Sequence, residues 1–256
     1  MTMYAAERQQ AMAELVTRRG RVSVADLAVR FGVTTETVRR DLDTLEGMRL
    51  VRRVHGGALP AESFTALEAG LGDRGLSHPE EKRRIAQAAV AFLPESEATV
   101  IIDAGTTTIL LAGLLPRERT LTVLTHSVPV AARLADLPNV ELYLLPGRVR
   151  HTTQAAVGVE TVAALGRVRA EVAFLGTNGI SLDHGLSTPD HAEAATKSAI
   201  VACAQKVVVL ADSSKLGQER TVRFADLTDI DVLVTDEGAA DQIESFRSAG
   251  VEVVTA

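Results

Sequence analysis

The sequence is poor in cysteine and aromatics. It has one cysteine, Cys203, no tryptophan and 3% aromatic residues. A single thiol excludes an internal disulfide framework and supplies no metal-site spacing. It reads as a small buried side chain on a helix. Few aromatics leave a core of Val, Leu, Ile and Ala, within a hydrophobic content of 46%. No run of about 18 apolar residues occurs, so no membrane span is expected. The opening residues Met1 to Gln10 carry Glu7 and Arg8 where a signal peptide has an apolar stretch. A soluble cytoplasmic protein is the expectation.

Charge is unevenly spread. The net charge is −6, yet residues 1–58 hold ten Arg against seven Asp or Glu. The remaining residues hold 17 basic against 26 acidic side chains. A basic end on an acidic body suits a nucleic-acid-binding module. So small a surplus also fits an ordinary solvated surface, so the order of elements has to carry the reading.

Met3 to Arg19 reads as a helix, with Met12, Leu15 and Val16 as its apolar stripe and Gly20 as its stop. Arg21-Val22 is extended. Ser23 opens a second helix, where Ser23 and Asp26 are spaced to cap each other's turn, and Leu27, Ala28 and Phe31 face inward. Gly32 permits a tight turn. Thr34 caps a third helix, with Val38, Leu42 and Leu45 on its inner face. Its outer face shows Thr35, Glu36, Arg39, Arg40 and Asp43. Short polar residues followed by paired Arg suit a reader of the DNA major groove. Leu50 to Ala58 then reads as a hairpin turning at Gly56-Gly57. This wing brings Arg52, Arg53 and His55 toward phosphate or a minor groove. The alternative is a three-helix bundle with no DNA role.

Three stretches carry a resemblance: Arg21 to Ala28, Val33 to Leu42, with its T-x-R-R-D-L, and Arg53 to Ala58, with its H-G-G-A. Together they resemble the DeoR family of bacterial sugar-metabolism repressors. The resemblance implies a winged helix-turn-helix that contacts double-stranded operator DNA through Ser23, Thr34, Thr35, Glu36, Thr37, Arg39, Arg40, Arg52, Arg53 and His55.

Leu59 to Pro79 holds Pro60, Gly70, Gly72, Gly75 and Pro79 and no sustained period, and reads as a linker with a helical turn around Phe64 to Leu67. Glu80 to Leu93 reads as a helix. Apolar runs then alternate with helical stretches at Thr99–Asp103, Leu121–Thr125, Val140–Leu145, Glu171–Leu175, Lys206–Ala211, Asp231–Thr235 and Val251–Val254. Unalternated runs such as Val207 to Leu210 mean both sheet faces are covered. The expectation is an α/β fold with a mostly parallel sheet between helices. The domains read as 1–58, a linker 59–79, and 80–256.

Ligands of such sheets bind at the carboxyl ends of the strands, where five polar loops fall. Asp103-Ala104-Gly105-Thr106-Thr107-Thr108 offers backbone N–H groups and hydroxyls suited to phosphate, or is simply a capped helix start. It has neither a G-x-G-x-x-G nor a Walker pattern, so no nucleotide cofactor is indicated. Thr125-His126-Ser127 ends the next strand, with His126 either a ligand donor or a hydrogen-bonded loop residue. Gly147-Arg148 supplies a charged fork. Asn178-Gly179 follows the fourth strand. Asp190, Glu193 and Lys197 lie on a helix, the last two spaced as an i, i+4 surface pair. Asp212 and Lys215 can hold sugar hydroxyls and phosphate, or be a cap and an exposed Lys.

These loops also resemble the DeoR sensor domain, and with it ribose-5-phosphate isomerase and the CoA-transferases, which implies a sugar-phosphate pocket. The positions carried over are Asp103, Gly105, Thr106, Thr107, Thr125, Gly147, Asp190, Glu193, Lys197, Asp212 and Lys215. Two positions depart from the family pattern: His126 stands where T-N-S is usual, and Pro146-Gly147 where G-G is. Thr125-His126-Ser127 with Leu145 to Arg150 resembles a branch associated with fructose uptake, which implies fructose 1-phosphate. The resulting expectation is a repressor relieved by a phosphorylated sugar, working as a homo-dimer or tetramer. Its alternatives are an isomerase-like enzyme using Asp103, Glu193 and Lys215 as acid and base, and a DNA-binding protein whose second domain only oligomerises.

Overall fold

Ser23 ends a strand and starts a helix, and its hydroxyl does the second job. It accepts the Asp26 N–H at 3.0 Å and gives its proton to the Asp26 carboxylate at 2.8 Å. The pair closes on itself instead of forming the expected reciprocal backbone cap. The computed structural model describes residues 5–19, 22–48, 50–54, 56–60, 70–95 and 97–256. The chain divides into two units, Met1–Glu68 and Ala69–Ala256.

The first unit runs α1 (Ala5–Arg19), β1 (Val22–Ser23), α2 (Val24–Phe31), α3 (Thr35–Gly47), β2 (Val51–Val54) and β3 (Gly57–Pro60). Met12, Leu15 and Val16 meet Leu27, Val38, Leu42 and Leu45 in one buried cluster. Gly32 holds the left-handed turn after α2 at φ +62°. The three strands pair in the order β1-β3-β2, so β1 adds a strand to the expected wing hairpin. A side chain at Gly57 would meet Val22 O at 2.3 Å, which explains a glycine there.

The Asp of the R-R-D-L run is buried. Its carboxylate takes Arg8 Nε at 2.7 Å, Arg8 Nη2 at 3.2 Å and Gln9 Nε2 at 2.9 Å. Asp41 thus fixes α3 against α1, and removing one partner of a buried pair strands the other. Asp41→Ala should cost about 3 kcal/mol in urea unfolding of the full chain. A cost near zero would show that the tie does not hold the helices.

The second unit opens with α4 (Leu71–Leu76) and α5 (Pro79–Ala89). Then come β4 (Ala98–Ile102), α6 (Thr106–Ala112), β5 (Leu121–Thr125), α7 (Val128–Leu134) and β6 (Val140–Leu144). A hairpin, β7 (Arg148–Arg150) and β8 (Ala155–Val157), precedes α8 (Val159–Leu165) and β9 (Ala170–Gly176). Next are β10 (Gly179–Ser181), β11 (Gly185–Thr188), α9 (His191–Cys203) and β12 (Ala204–Leu210). The chain ends with β13 (Val222–Ala225), β14 (Val232–Thr235), α10 (Ala240–Ser248) and β15 (Glu252–Thr255). α4 lies within the stretch read as linker, whereas the turn expected around Phe64 to Leu67 falls outside the described residues. No described helix is long and apolar enough to cross a membrane.

The expected strands form one parallel sheet of seven, in the order β15-β14-β12-β9-β4-β5-β6. Alternate residues feed two cores. Val100, Ile102, Val208 and Leu210 pack with Ile85 of α5, Leu111 of α6 and Leu134 of α7. Ile101, Val207 and Val209 pack with Leu165 of α8, Ile200 and Cys203 of α9, and Phe246 of α10. Short antiparallel groups, β7-β8 and β10-β11-β13, were not foreseen. Strand order runs one way from β4 through β5 to β6 and the other way from β9 to β15. The carboxyl ends of β4 and β9 therefore flank the switch point, where α/β sheets open a ligand crevice.

Candidate functional site

On the first unit, Thr34 caps α3 by accepting the Thr37 N–H at 3.2 Å. Thr35, Glu36, Arg39, Arg40 and Asp43 share its exposed face, with Thr37 half-buried. Glu36 sits 3.6 Å from both Arg39 Nη1 and Arg40 Nε. Arg53 on the wing forms an ion pair with Asp43, and its backbone N–H donates to Glu46 at 2.7 Å. Arg53 therefore joins wing to helix, while Arg52 is half-buried beside it. Ser23 is engaged as a cap, and His55 lies outside the described residues.

On the second unit, Asp103 at the end of β4 is wholly buried. Its Oδ1 lies 2.8 Å from His126 Nε2, and its Oδ2 accepts the Gly176 N–H at 2.9 Å and pairs with Lys197. Lys197 also donates to Gly176 O at 2.8 Å. His126 Nδ1 faces the Ala156 carbonyl at 2.8 Å. Both ring nitrogens thus lie within hydrogen-bond distance of oxygen atoms. Ala104 N–H also approaches Nε2, at 3.2 Å, but the carboxylate contact is shorter and charge-assisted. Burial alone would raise the Asp103 carboxyl, but Lys197 and His126 outweigh it and hold it well below the usual carboxylate range.

A second cluster surrounds Glu193. Arg150 Nη1 reaches Glu193 at 2.8 Å and its Nη2 reaches Asp190 at 3.4 Å. Thr188 Oγ1 lies 3.3 Å from the Glu193 carboxylate and 3.1 Å from Asn178 Oδ1, with one proton to share between them. Asp190 caps α9 through the Glu193 N–H at 2.9 Å. Glu193 and Lys197 are both buried and do not pair with each other, contrary to the i, i+4 surface reading. Each finds a partner on a distant strand, because an unpaired buried charge is costly.

The third cluster is cationic. Asp212 is buried and accepts the Ser214 N–H at 3.2 Å. Burial pushes the Lys215 amine down; Asp212 opposes the shift, and Arg74 and Arg220 add to it. Lys82 of α5 is buried and donates to Arg74 O at 2.5 Å and Ser77 O at 2.6 Å. Its amine is lowered to about 8, mainly by burial, with Asp212 opposing and Lys215 and Arg74 contributing. Sequence reading missed Arg74, Lys82, Arg150 and Arg220. For Lys82 a signal existed: it shares the buried stripe of Ile85, Ala86 and Ala89, where a lone Lys needs a reason.

Several expected contacts serve the backbone. Thr108 donates to Gly105 O at 2.9 Å and Thr125 to Ile102 O at 2.6 Å, while Ser127 caps α7 by accepting the Val130 N–H at 3.3 Å. Gly105 is extended before α6, with Thr106 half-exposed and Thr107 buried. Gly147 has φ +143°, and a side chain there would meet Thr161 Oγ1 at 2.3 Å. Arg148 is exposed on β7. Gly179 abuts Gln218 O, 2.4 Å from a built Cβ.

Asp103→Asn would strand Lys197 and should cost about 3–5 kcal/mol. Adding Lys197→Met should cost less than the sum of the single changes, as urea unfolding would show. A depressed native carboxyl stabilises above its unfolded-chain value of about 3.9. That contribution should vanish as pH falls through the lower native value, and Asp103→Asn should flatten this part of an acid-unfolding profile.

Among solved structures, ribose 5-phosphate isomerase A of Methanocaldococcus jannaschii is similar over 55% of this chain and 55% of its own, at a TM-score of 0.41 and 18% identity. The chain is 33% identical over 250 residues to a putative aga operon transcriptional repressor of Escherichia coli O157:H7, covering 97% of this chain and 93% of that protein. It is 40% identical over 253 residues to the HTH-type transcriptional regulator GlpR of Haloferax volcanii, covering 98% of each. Residues 8–64 match the DeoR-like helix-turn-helix domain and residues 77–237 the DeoR C terminal sensor domain. A winged reader and a parallel-sheet sensor in this order, matched along nearly the whole chain, make this protein a member of the DeoR family of DNA-binding transcriptional regulators.

Proposed function

We propose that the chain is a cytoplasmic repressor of a carbohydrate-utilisation operon that releases its operator when a phosphorylated sugar binds. The observation that carries the effector reading is the gathering of Lys82 and Lys215 beside Asp212, near the carboxyl end of β12, with Arg74 and Arg220 adding positive charge at Lys215. Burial makes the Lys82 and Lys215 amines costly to charge, and a phosphate dianion repays that cost. In this reading Asp212 and Asn178 take sugar hydroxyls. Lys82 binds carbonyls of the stretch read as linker. Recruiting its ammonium to a phosphate alters the anchorage of that stretch and offers a route to the reader. A full release needs about 5 kcal/mol of preference for the DNA-incompetent state.

The isomerase reading loses ground because Asp103, its candidate base, is buried and paired with Lys197. For the reader, the exposed face of α3 supports major-groove docking by two copies on paired half-sites. Arg39→Ala or Arg40→Ala should weaken operator binding by about 1–3 kcal/mol if that Arg reads a base, measured by fluorescence anisotropy. Unchanged affinity for both would place the reading face elsewhere.

The effector reading is tested by melting the full chain with sugars and sugar phosphates, fructose 1-phosphate first. A ligand at about 100 times its dissociation constant adds about 2.7 kcal/mol. One phosphorylated sugar should raise the melt where its parent sugar does not, and Lys82→Met should abolish the effect. A melt that no compound shifts would overturn the sensor reading. Binding should also weaken as pH rises through about 8, where Lys82 loses its proton. Calorimetric titrations at pH 7 and 9 would show it.

A further inference from the structure

We propose that β6 is a homodimer interface, on which a second copy of this chain adds its own β6 antiparallel about a two-fold axis through Leu142. The surface lies in the second unit, and the proposal is independent of the effector reading.

The two edges of the seven-stranded sheet are treated differently. At β15, the outward-facing Val253 O accepts Arg247 Nη2 at 3.2 Å, so a side chain blunts that edge. At β6, Asn139 O accepts from Leu121 and Leu145 N–H donates to Thr125. The odd-numbered residues of β6 therefore turn their backbone groups toward β5, and Leu142 and Leu144 turn theirs outward. The sequence Val140-Glu141-Leu142-Tyr143-Leu144 has no Lys and no Pro to discourage pairing. Its side chains are not those of a solvated edge: Tyr143 is 50% exposed, Leu144 54%, and Val149 on nearby β7 49%.

The strand is complementary to itself, which selects a second copy as the occupant. An axis through Leu142 sets each Leu142 against its copy and each Val140 against the other copy's Leu144. It places Glu141 opposite the other copy's Tyr143. Tyr143 OH already donates to Glu141 at 2.8 Å within one chain, so the same donor and acceptor can exchange across the axis. An axis through Glu141 would instead oppose two carboxylates, which is unfavourable. Such a face is isologous and closes at two copies.

The test uses the full chain in solution. Wild type should run as a dimer, or an even multiple, of the 27.2 kDa chain in light scattering. Tyr143→Lys with Leu144→Lys should halve that mass, whereas Val159→Lys, at an exposed site away from β6, should leave it unchanged. Register is read by oxidation. Glu141→Cys and Tyr143→Cys proteins should each stay unlinked alone and form a disulfide dimer when mixed, because cross-strand neighbours lie about 4.5–5.5 Å apart. A monomeric wild type, or a mass untouched by the Lys pair, would overturn the interface. Linking of either Cys variant by itself, or no linking in the mixture, would overturn the Leu142 axis.

Discussion

The Asp103 carboxylate is the interaction on which the sensor unit depends. It sits where strand order reverses and joins four separate pieces of chain: the end of β4, the residue after β5, the end of β9 and helix α9. A carboxylate buried without partners would be prohibitive. Here its two oxygens meet a backbone N–H, an ammonium and an imidazole. The hub ties the carboxyl ends of β4 and β9 together at the switch point of the sheet. Asp103 is therefore part of the frame at the strand ends, and the cations near Asp212 are the groups proposed above to receive a ligand.

His126 deepens this view. Its Nε2 meets the Asp103 carboxylate and its far nitrogen meets the Ala156 carbonyl of β8. The hairpin β7-β8 is thereby bound to the hub. The same hairpin carries Arg150 to Glu193 and Asp190. The first and second clusters thus form one continuous polar frame, from α9 through the hairpin back to β4.

Much of the fold was legible in the sequence. Each strand of the parallel sheet is a short apolar run, because both of its faces are covered, and such runs stand out between polar helices. The caps at Ser23 and Thr34 were legible because they are local. The small antiparallel groups were not, since β7, β10 and β11 are short and partly polar. The pairing of Glu193 and Lys197 was misread for a related reason. Spacing along a helix shows which residues are neighbours, but burial decides whether they need stronger partners, and those came from residues 150 and 103. Arg150 left no trace in local pattern, whereas Lys82 did, by interrupting the apolar stripe of α5.

The ion pairs on α3 have a consequence for how the protein searches DNA. Arg39 and Arg40 both lean on Glu36, and Arg53 on Asp43. Any phosphate that takes one of these guanidiniums must displace a carboxylate as well as counterions. On the face proposed to read DNA, the guanidiniums are thus partly neutralised by the chain's own carboxylates. For that face the expected consequence is a lower non-specific affinity, because each phosphate contact replaces a carboxylate the chain already supplies.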